Sequence, residues 1–308
     1  MPALGVWSAG HDARRSKKKD WHHVAITLTD GPGALYVSRV CKALGKSRNA
    51  FYQTKVVRQR KSVDADFVVE LVQNLRQMHP RAGTRKLMHY LQDDFNKADI
   101  AIGRDRLNEI LRERTLLVER RRSQTPRTTR FDSSLPLAHN LIKDLQPSAP
   151  NEVWVGDITY IRTLEGFLYL SLLTDMVSRK IVGYGICESL ETEGCLNSLG
   201  MARKDLYKGE HPIHHSDRGC QYGSHAYRKA LQEAGMPCSM TEEFHCYENA
   251  LAERVNGILK QEYFLDVCFA TKEAARIAVI QTVDIYNNHR IHEALGYRTP
   301  ASVHRRAA

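Results

Sequence analysis

The chain has 308 residues, 42% of them hydrophobic, and a formal net charge of +10. That length predicts about two domains, and no apolar run approaches the ~20 residues of a membrane span. The start, Met1-Pro2-Ala3-Leu4, lacks an apolar signal region, and the seven scattered cysteines include no Cys-x-x-Cys pair. Secretion and a zinc site are therefore not expected, and free thiols in a reducing cytoplasm are.

Charge is unevenly placed. Residues 1–150 carry 28 Lys and Arg against 15 Asp and Glu, a balance of +13; residues 151–308 carry 17 against 20, a balance of −3. The first half is thus expected to meet a polyanion, and the second to gather carboxylates as a metal-using enzyme would.

Residues 1–34 show no sustained period and hold a basic cluster, so a flexible basic tail is expected. Over 35–60, Val37, Val40, Cys41 and Leu44 keep helical spacing, Gly45 marks a turn, and Ser47 is placed to cap a second helix. This reads as a helix-turn-helix with Arg48 on its second helix. A second helical DNA-binding unit is expected over 61–119. Val68, Leu71, Val72 and Leu75 run up to His79-Pro80, a helix follows from Thr84 to Leu91, and another covers about 103–113 with Arg104 and Arg106 outward. Residues 120–150 open with Arg120, Arg121 and Arg122 and hold four prolines, so a basic linker tracking phosphates is expected.

From residue 151 the period changes to strands. The pattern predicts strands at Val153–Ile161, Phe167–Leu173 and Lys180–Ile186, a helix over about 191–207 and a strand at 213–216. A helix from Ser224 to Ala234, a short strand near 237–241 and helices at 248–265 and 271–288 complete it. The order βββαβαβα predicts an α/β fold: a ribonuclease-H-like mixed five-stranded sheet with flanking helices over 151–308, preceded by all-α helix-turn-helix units.

Within that fold three carboxylates have the placement of a nuclease-type metal site. Asp157 sits in the first strand, Asp217 ends the fourth, and Glu253 lies on the 248–265 helix. Two-metal phosphodiester chemistry needs hard oxygen ligands from a few carboxylates. Neighbouring first and fourth strands would bring the aspartates together. On the helix, Asn249, Glu253, Asn256 and Lys260 fall on one polar side opposite Leu251, Val255, Ile258 and Leu259. Asp175 is expected to cap a turn, and His214 and His215 to contact phosphate or serve structure. His22, His23 and Cys41 are not expected to bind zinc, for want of a second close cysteine.

The motifs Trp154-Val155-Gly156-Asp157-Ile158-Thr159-Tyr160, His215-Ser216-Asp217-Arg218-Gly219-x-Gln221-Tyr222 and Asn249-Ala250-x-Ala252-Glu253 through Leu259-Lys260 resemble the insertion-sequence-three family of bacterial transposases. Tyr286-Asn287-x-x-Arg290-x-His292-x-Ala294-Leu295-Gly296-Tyr297-x-Thr299-Pro300 is similar to that family's C-terminal signature, and His79-Pro80-Arg81-x-Gly83 to the start of its second helical unit. The resemblance implies a DDE integrase-type enzyme with Asp157, Asp217 and Glu253 holding two Mg²⁺ or Mn²⁺ ions and Lys260 contacting DNA. It further implies strand cleavage and transfer at the terminal inverted repeats of an insertion sequence and on target DNA. A homo-oligomer in the DNA complex, a role for the upstream-frame product, and a cytoplasmic, nucleoid-associated, non-membrane location follow from it. The chain resembles the downstream-frame product alone. The rival expectations are a catalytically silent DNA-binding regulator and a structure-specific ribonuclease-H-like nuclease.

Overall fold

A computed structural model describes residues 21–30, 33–119, 138–242 and 249–305. Its contacts divide the chain into two compact units at residues 71 and 72.

The first unit is helical: α1 (Trp21–Thr29), α2 (Val37–Ala43) and the start of α3 (Arg48–Met78). Ala25, Val40, Cys41 and Phe51 close a small core around which Trp21, Ile26, Val37 and Leu44 pack. Gly45 turns the chain with a φ of +64°, and Ser47 Oγ accepts from the Ala50 amide at 3.0 Å. The expected tail is corrected at its end. Trp21–Thr29 is a helix whose His22 and Ala25 are fully buried, and His22 Nε2 bonds to the Phe51 carbonyl at 3.0 Å. Two buried positions over so short a stretch give too weak a period to see in sequence. A second difference lies near residue 60, where a break between units was expected. Helix α3 runs through it for 31 residues, because no Gly or Pro interrupts the helix formers between Gly45 and Pro80.

The second unit begins inside α3 and adds α4 (Thr84–Tyr90), α5 (Gln92–Lys97) and α6 (Arg104–Glu113). Leu87, Leu91, Phe95, Leu107, Ile110 and Leu111 are their buried apolar residues. Residues 120–137, including Arg120, Arg121 and Arg122, lie outside the described residues. The end of the expected linker already packs on the sheet: Ile142 joins Val153, Val155 and Ala252 in one cluster, and the Leu141 amide donates to Ser239 Oγ at 2.9 Å.

The sheet is built on β1 (Val153–Thr163). β2 (Gly166–Asp175) pairs antiparallel with it from Trp154↔Asp175 to Thr163↔Gly166, and β3 (Ile181–Cys187) pairs antiparallel with β2. β4 (Ile213–Ser216) runs parallel to the other side of β1, and β5 (Cys238–Met240) parallel to β4. The order β3-β2-β1-β4-β5 is the mixed ribonuclease-H-like arrangement. A sixth strand absent from the sequence pattern, β6 (Cys268–Phe269), pairs with Arg162 and Thr163. Two residues are too few for any period.

Alternation along the strands feeds two cores. Leu168, Leu170 and Leu172 pack with Val255, Ile258 and Leu259 of α10 (Ala250–Glu262) and with Ala275, Val279, Val283 and Tyr286 of α11 (Lys272–Asn288). Trp154 and Leu173 pack with Cys195 and Leu199 of α7 (Thr192–Arg203), Tyr222 of α8 (Cys220–Gly223), and Tyr227 and Leu231 of α9 (His225–Glu233). Each such buried side chain stabilises the fold by about 1.5–3 kcal/mol. The chain closes with a 3₁₀ turn (Glu293–Leu295) and α12 (Pro300–His304).

Candidate active site

Register places the two aspartates. β1 and β4 pair in parallel as Val153↔Ile213, Trp154↔His214, Val155↔His215 and Gly156↔Ser216. The next residue on each strand is Asp157 and Asp217, so both carboxylates leave the sheet at the same level. Asp157 shares a strand face with Val153 and Val155, which pack on Ala252 of α10. Helix α10 therefore crosses behind the aspartates and carries Glu253 in its first turn.

The neighbourhood is electrically crowded. Burial, then the charge of Asp217, push Asp157 up to about 7, against hydrogen bonds from Asn256 and the Ile158 amide; the weakest of the charge effects is that of Glu253. Glu253 is exposed yet also raised, by desolvation and by Asp217. Asp217 Oδ1 accepts from the Gly219 amide at 3.0 Å, and a Cβ at Gly219 would come within 2.9 Å of that oxygen.

Among the described residues, no group of three or more His, Cys, Asp or Glu side chains stands ready to hold a metal ion. The chemistry of the donors nonetheless fits a hard divalent cation: two strand-borne carboxylates and a third on the crossing helix, all oxygen, with Asp157 raised by burial and then by its anionic neighbour. Lys260 lies two turns beyond Glu253, with Nζ 4.2 Å from the centroid of the Tyr160 ring. Burial lowers its pKa while Asp157 and Asp266 act to raise it.

Several expected residues stand elsewhere. Asn249 and Asn256, expected on the DNA-facing stripe, are turned inward. They are 3% and 6% exposed, and their Nδ2 groups donate to the Gly156 carbonyl at 3.2 Å and to Asp157 Oδ2 at 2.7 Å. The reason is that the buried face of α10 centres on Ala252, Val255, Asn256 and Leu259, rotated from the one drawn through Leu251. Arg104 and Arg106 are surface residues already paired, with Asp105 at 2.9 Å and with Glu109 at 2.8 Å, and Arg48 is exposed at the start of α3. His214 and His215 are fully buried and bond to Tyr227 Oη and Ser239 Oγ, each at 2.9 Å, so they support the strand rather than reach solvent. Asp175 is buried and caps its turn: its carboxylate accepts from the Ser178 amide and hydroxyl and from the Asn151 amide.

The C-terminal signature proves to be a clasp. Asn287 bonds both the amide and the carbonyl of Ile181 at 2.9 Å, capping the edge strand β3, and Tyr286 Oη donates to the Arg179 carbonyl. Arg290 grips Glu262, the last residue of α10, which also receives Lys86 from α4. Sequence named these residues without disclosing what they hold.

A ribonuclease-H-like sheet with aspartates on neighbouring strands and a glutamate on the helix crossing them has the layout expected of a polynucleotidyl transferase of the DDE type. Comparisons agree. Integrase core domain models match residues 147–246 and 234–300. The chain is 33% identical over 267 residues to the insertion element IS600 uncharacterized 31 kDa protein of Shigella sonnei, covering 85% of this chain and 96% of that protein. It is 29% identical over 270 residues to transposase InsF for insertion sequence IS3A of Escherichia coli K12, covering 86% and 92%. Among solved structures, the HTLV-2 integrase catalytic core domain in complex with magnesium matches 52% of this chain and 100% of that one, at 19% identity and a TM-score of 0.42. The chain belongs to the insertion-sequence-three family of DDE transposases. It is a DNA transposase of the integrase type.

Proposed function

We propose that this transposase cleaves and joins DNA at the terminal inverted repeats of its insertion sequence, with Asp157, Asp217 and Glu253 as the catalytic carboxylates. The observation that carries the reading is the β1–β4 register, which sets Asp157 beside Asp217 under the helix of Glu253. In the first step water attacks a phosphodiester at the element end; the P–O3′ bond breaks and leaves a free 3′-hydroxyl. In the second that hydroxyl attacks a target phosphodiester, forming one P–O bond as another breaks. Divalent metal, Mg²⁺ or Mn²⁺ as a pair, would be held by the three carboxylates and would supply charge neutralisation at the phosphate.

The chain's own residues set the reaction up. Asp157 and Asp217 fix the site to the rigid centre of the sheet, and Glu253 completes it from α10. Lys260, half-buried on that helix, meets a phosphate of the bound DNA. The exposed basic residues of the N-terminal helices, Arg48 among them, bind the inverted repeats, with Arg104, Arg106 and the Arg120–Arg122 run adding phosphate contacts. The active species is a homo-oligomer on DNA, aided by the upstream-frame product.

The test is cleavage and strand transfer on oligonucleotides bearing the element's own ends, with Mg²⁺ or Mn²⁺. Asp157→Asn, Asp217→Asn and Glu253→Gln should each lose about 10³-fold or more in rate, the scale of removing a group that stabilises the transition state. Retained strand transfer by Glu253→Gln sinks the assignment.

A further inference from the structure

Two buried asparagines reach the same short stretch of β1: Asn249, the N-cap residue just before α10, and Asn256, in the second turn of that helix. Asn249 Nδ2 donates to the carbonyl of Gly156 at 3.2 Å and Asn256 Nδ2 donates to Oδ2 of Asp157 at 2.7 Å. The Gly156 carbonyl only accepts, so the NH₂ group of Asn249 must face the strand, and the NH₂ group of Asn256 meets the Asp157 carboxylate. The other oxygen of Asp157, Oδ1, accepts from the Ile158 amide at 2.9 Å, so the carboxylate is held from both ends.

These two residues are poor choices for packing alone. Each leaves its Oδ1 buried with no hydrogen-bond partner among the described residues, a costly state that an apolar side chain of similar size avoids. Their burial face is otherwise apolar, with Ala252, Val255 and Leu259 alongside. Asn256 also stands one turn after Glu253, so the bond that holds Asp157 fixes the position of the helix bearing the third carboxylate.

We propose that Asn249 and Asn256 form a two-point amide clamp between α10 and β1 that positions the Asp157 carboxylate, and the turn carrying Glu253, for metal binding. They are positioning residues, acting through Asp157, and the proposal rests on the active-site reading given above. Partners that orient a metal ligand commonly change metal affinity by 10–100-fold when removed.

The test uses the full chain with Mn²⁺ alone as probe, read by the shift in thermal unfolding, and then cleavage against Mn²⁺ concentration. Asn256→Ala should raise the Mn²⁺ needed for a half-maximal shift about tenfold or more, and raise the half-maximal concentration for cleavage alike, while lowering the saturating rate less. Asn249→Ala, which frees only a backbone carbonyl, should move both in the same direction by a smaller factor. A half-saturating Mn²⁺ concentration within about twofold of the parent for Asn256→Ala overturns the clamp, whatever happens to metal-free unfolding, because a packing role moves only the latter. If Asn256→Ala does not fold, Asn256→Leu, which keeps the volume, is judged by the same criterion. Asp157→Asn is the control: if it keeps the full Mn²⁺ response and cleavage, the active-site reading fails rather than the clamp.

Discussion

Arg290 closes on Glu262 with two parallel bonds, Nε to Oε2 at 2.9 Å and Nη2 to Oε1 at 2.8 Å, while its side chain is only 4% exposed. Glu262 ends the helix that bears Glu253 and Lys260, and Lys86 Nζ donates to the same carboxylate at 2.9 Å. One carboxylate thus joins α10, α4 and the segment after α11.

Breaking this arrangement from one side leaves a buried charge short of partners. Arg290→Ala should destabilise by about 3 kcal/mol, and Arg290→Lys by roughly half that, since an ammonium cannot reproduce the two-pronged bond. Urea unfolding measures both. A midpoint for Arg290→Ala matching the parent contradicts the clasp.

Acid should weaken the fold through its buried histidines. Burial, with nearby positive charge, lowers His79 to about 4 and His292 to about 3, and burial lowers His214 to about 3. Unfolded histidine titrates near 6.5. Between these values the unfolded chain binds more protons, so stability is complete above about pH 6.5 and falls as pH drops toward 3. Three such groups together should cost about 3–6 kcal/mol between pH 7 and pH 5, partly offset by Asp157, whose raised carboxyl takes up its proton in the folded chain first. Glu262 extends the loss: burial opposes its charge, yet Arg290 and Lys86 hold it down at about 2, so its contribution is present above its unfolded value and disappears below it. Melting temperature against pH is the measurement. His79→Gln should lessen the loss from pH 7 to 5, and a profile identical to the parent contradicts neutral burial of that ring.

The approach of β3 to α7 depends on two glycines. A Cβ at Gly183 would stand 2.1 Å from the Ser198 carbonyl oxygen, and one at Gly185 2.1 Å from that of Gly194. Both obstacles are helix backbone, which cannot rotate away. Gly183→Ala should therefore cost about 3 kcal/mol or more, at the upper end of overpacking. Gly257→Ala, inside α10 with nothing within 4 Å of the added atom, is the comparison, expected to be neutral or to stabilise by up to about 1 kcal/mol. Similar melting temperatures for the two variants contradict the close approach.

Strand-borne features were readable because period two and flanking turns specify them locally. Asp157 and Asp217 were placed by strand order alone, and the register agrees. The helix was harder. Its apolar residues span more than half its circumference, so the inward side of α10 was set by what β1 presents, and Asn256 went in with Val255. The roles of Arg290 and Asn287 were hidden for a different reason: their partners, Glu262 and Ile181, lie 28 and 106 residues away. Nothing in a local pattern records such pairs. Helix α1 escaped because a core of a few small and aromatic residues leaves almost no period.

Lys260 is where site and substrate should meet. Its ammonium lies over Tyr160, 4.2 Å from the ring centroid, and it feels both Asp157 and Asp266. Burial works against its charge, so a phosphate arriving at the site gains a cation that is already partly stripped of water. If Lys260 meets one phosphate, Lys260→Gln should weaken binding to element-end and unrelated DNA by a similar factor. The slope of log affinity against log salt should fall by about 1. Tyr160→Leu, which removes the ring but keeps the cation, should leave that slope in place. Fluorescence anisotropy over a salt series separates these outcomes. An unchanged slope for Lys260→Gln means the ammonium stays on Tyr160 and its carboxylate neighbours when DNA is bound.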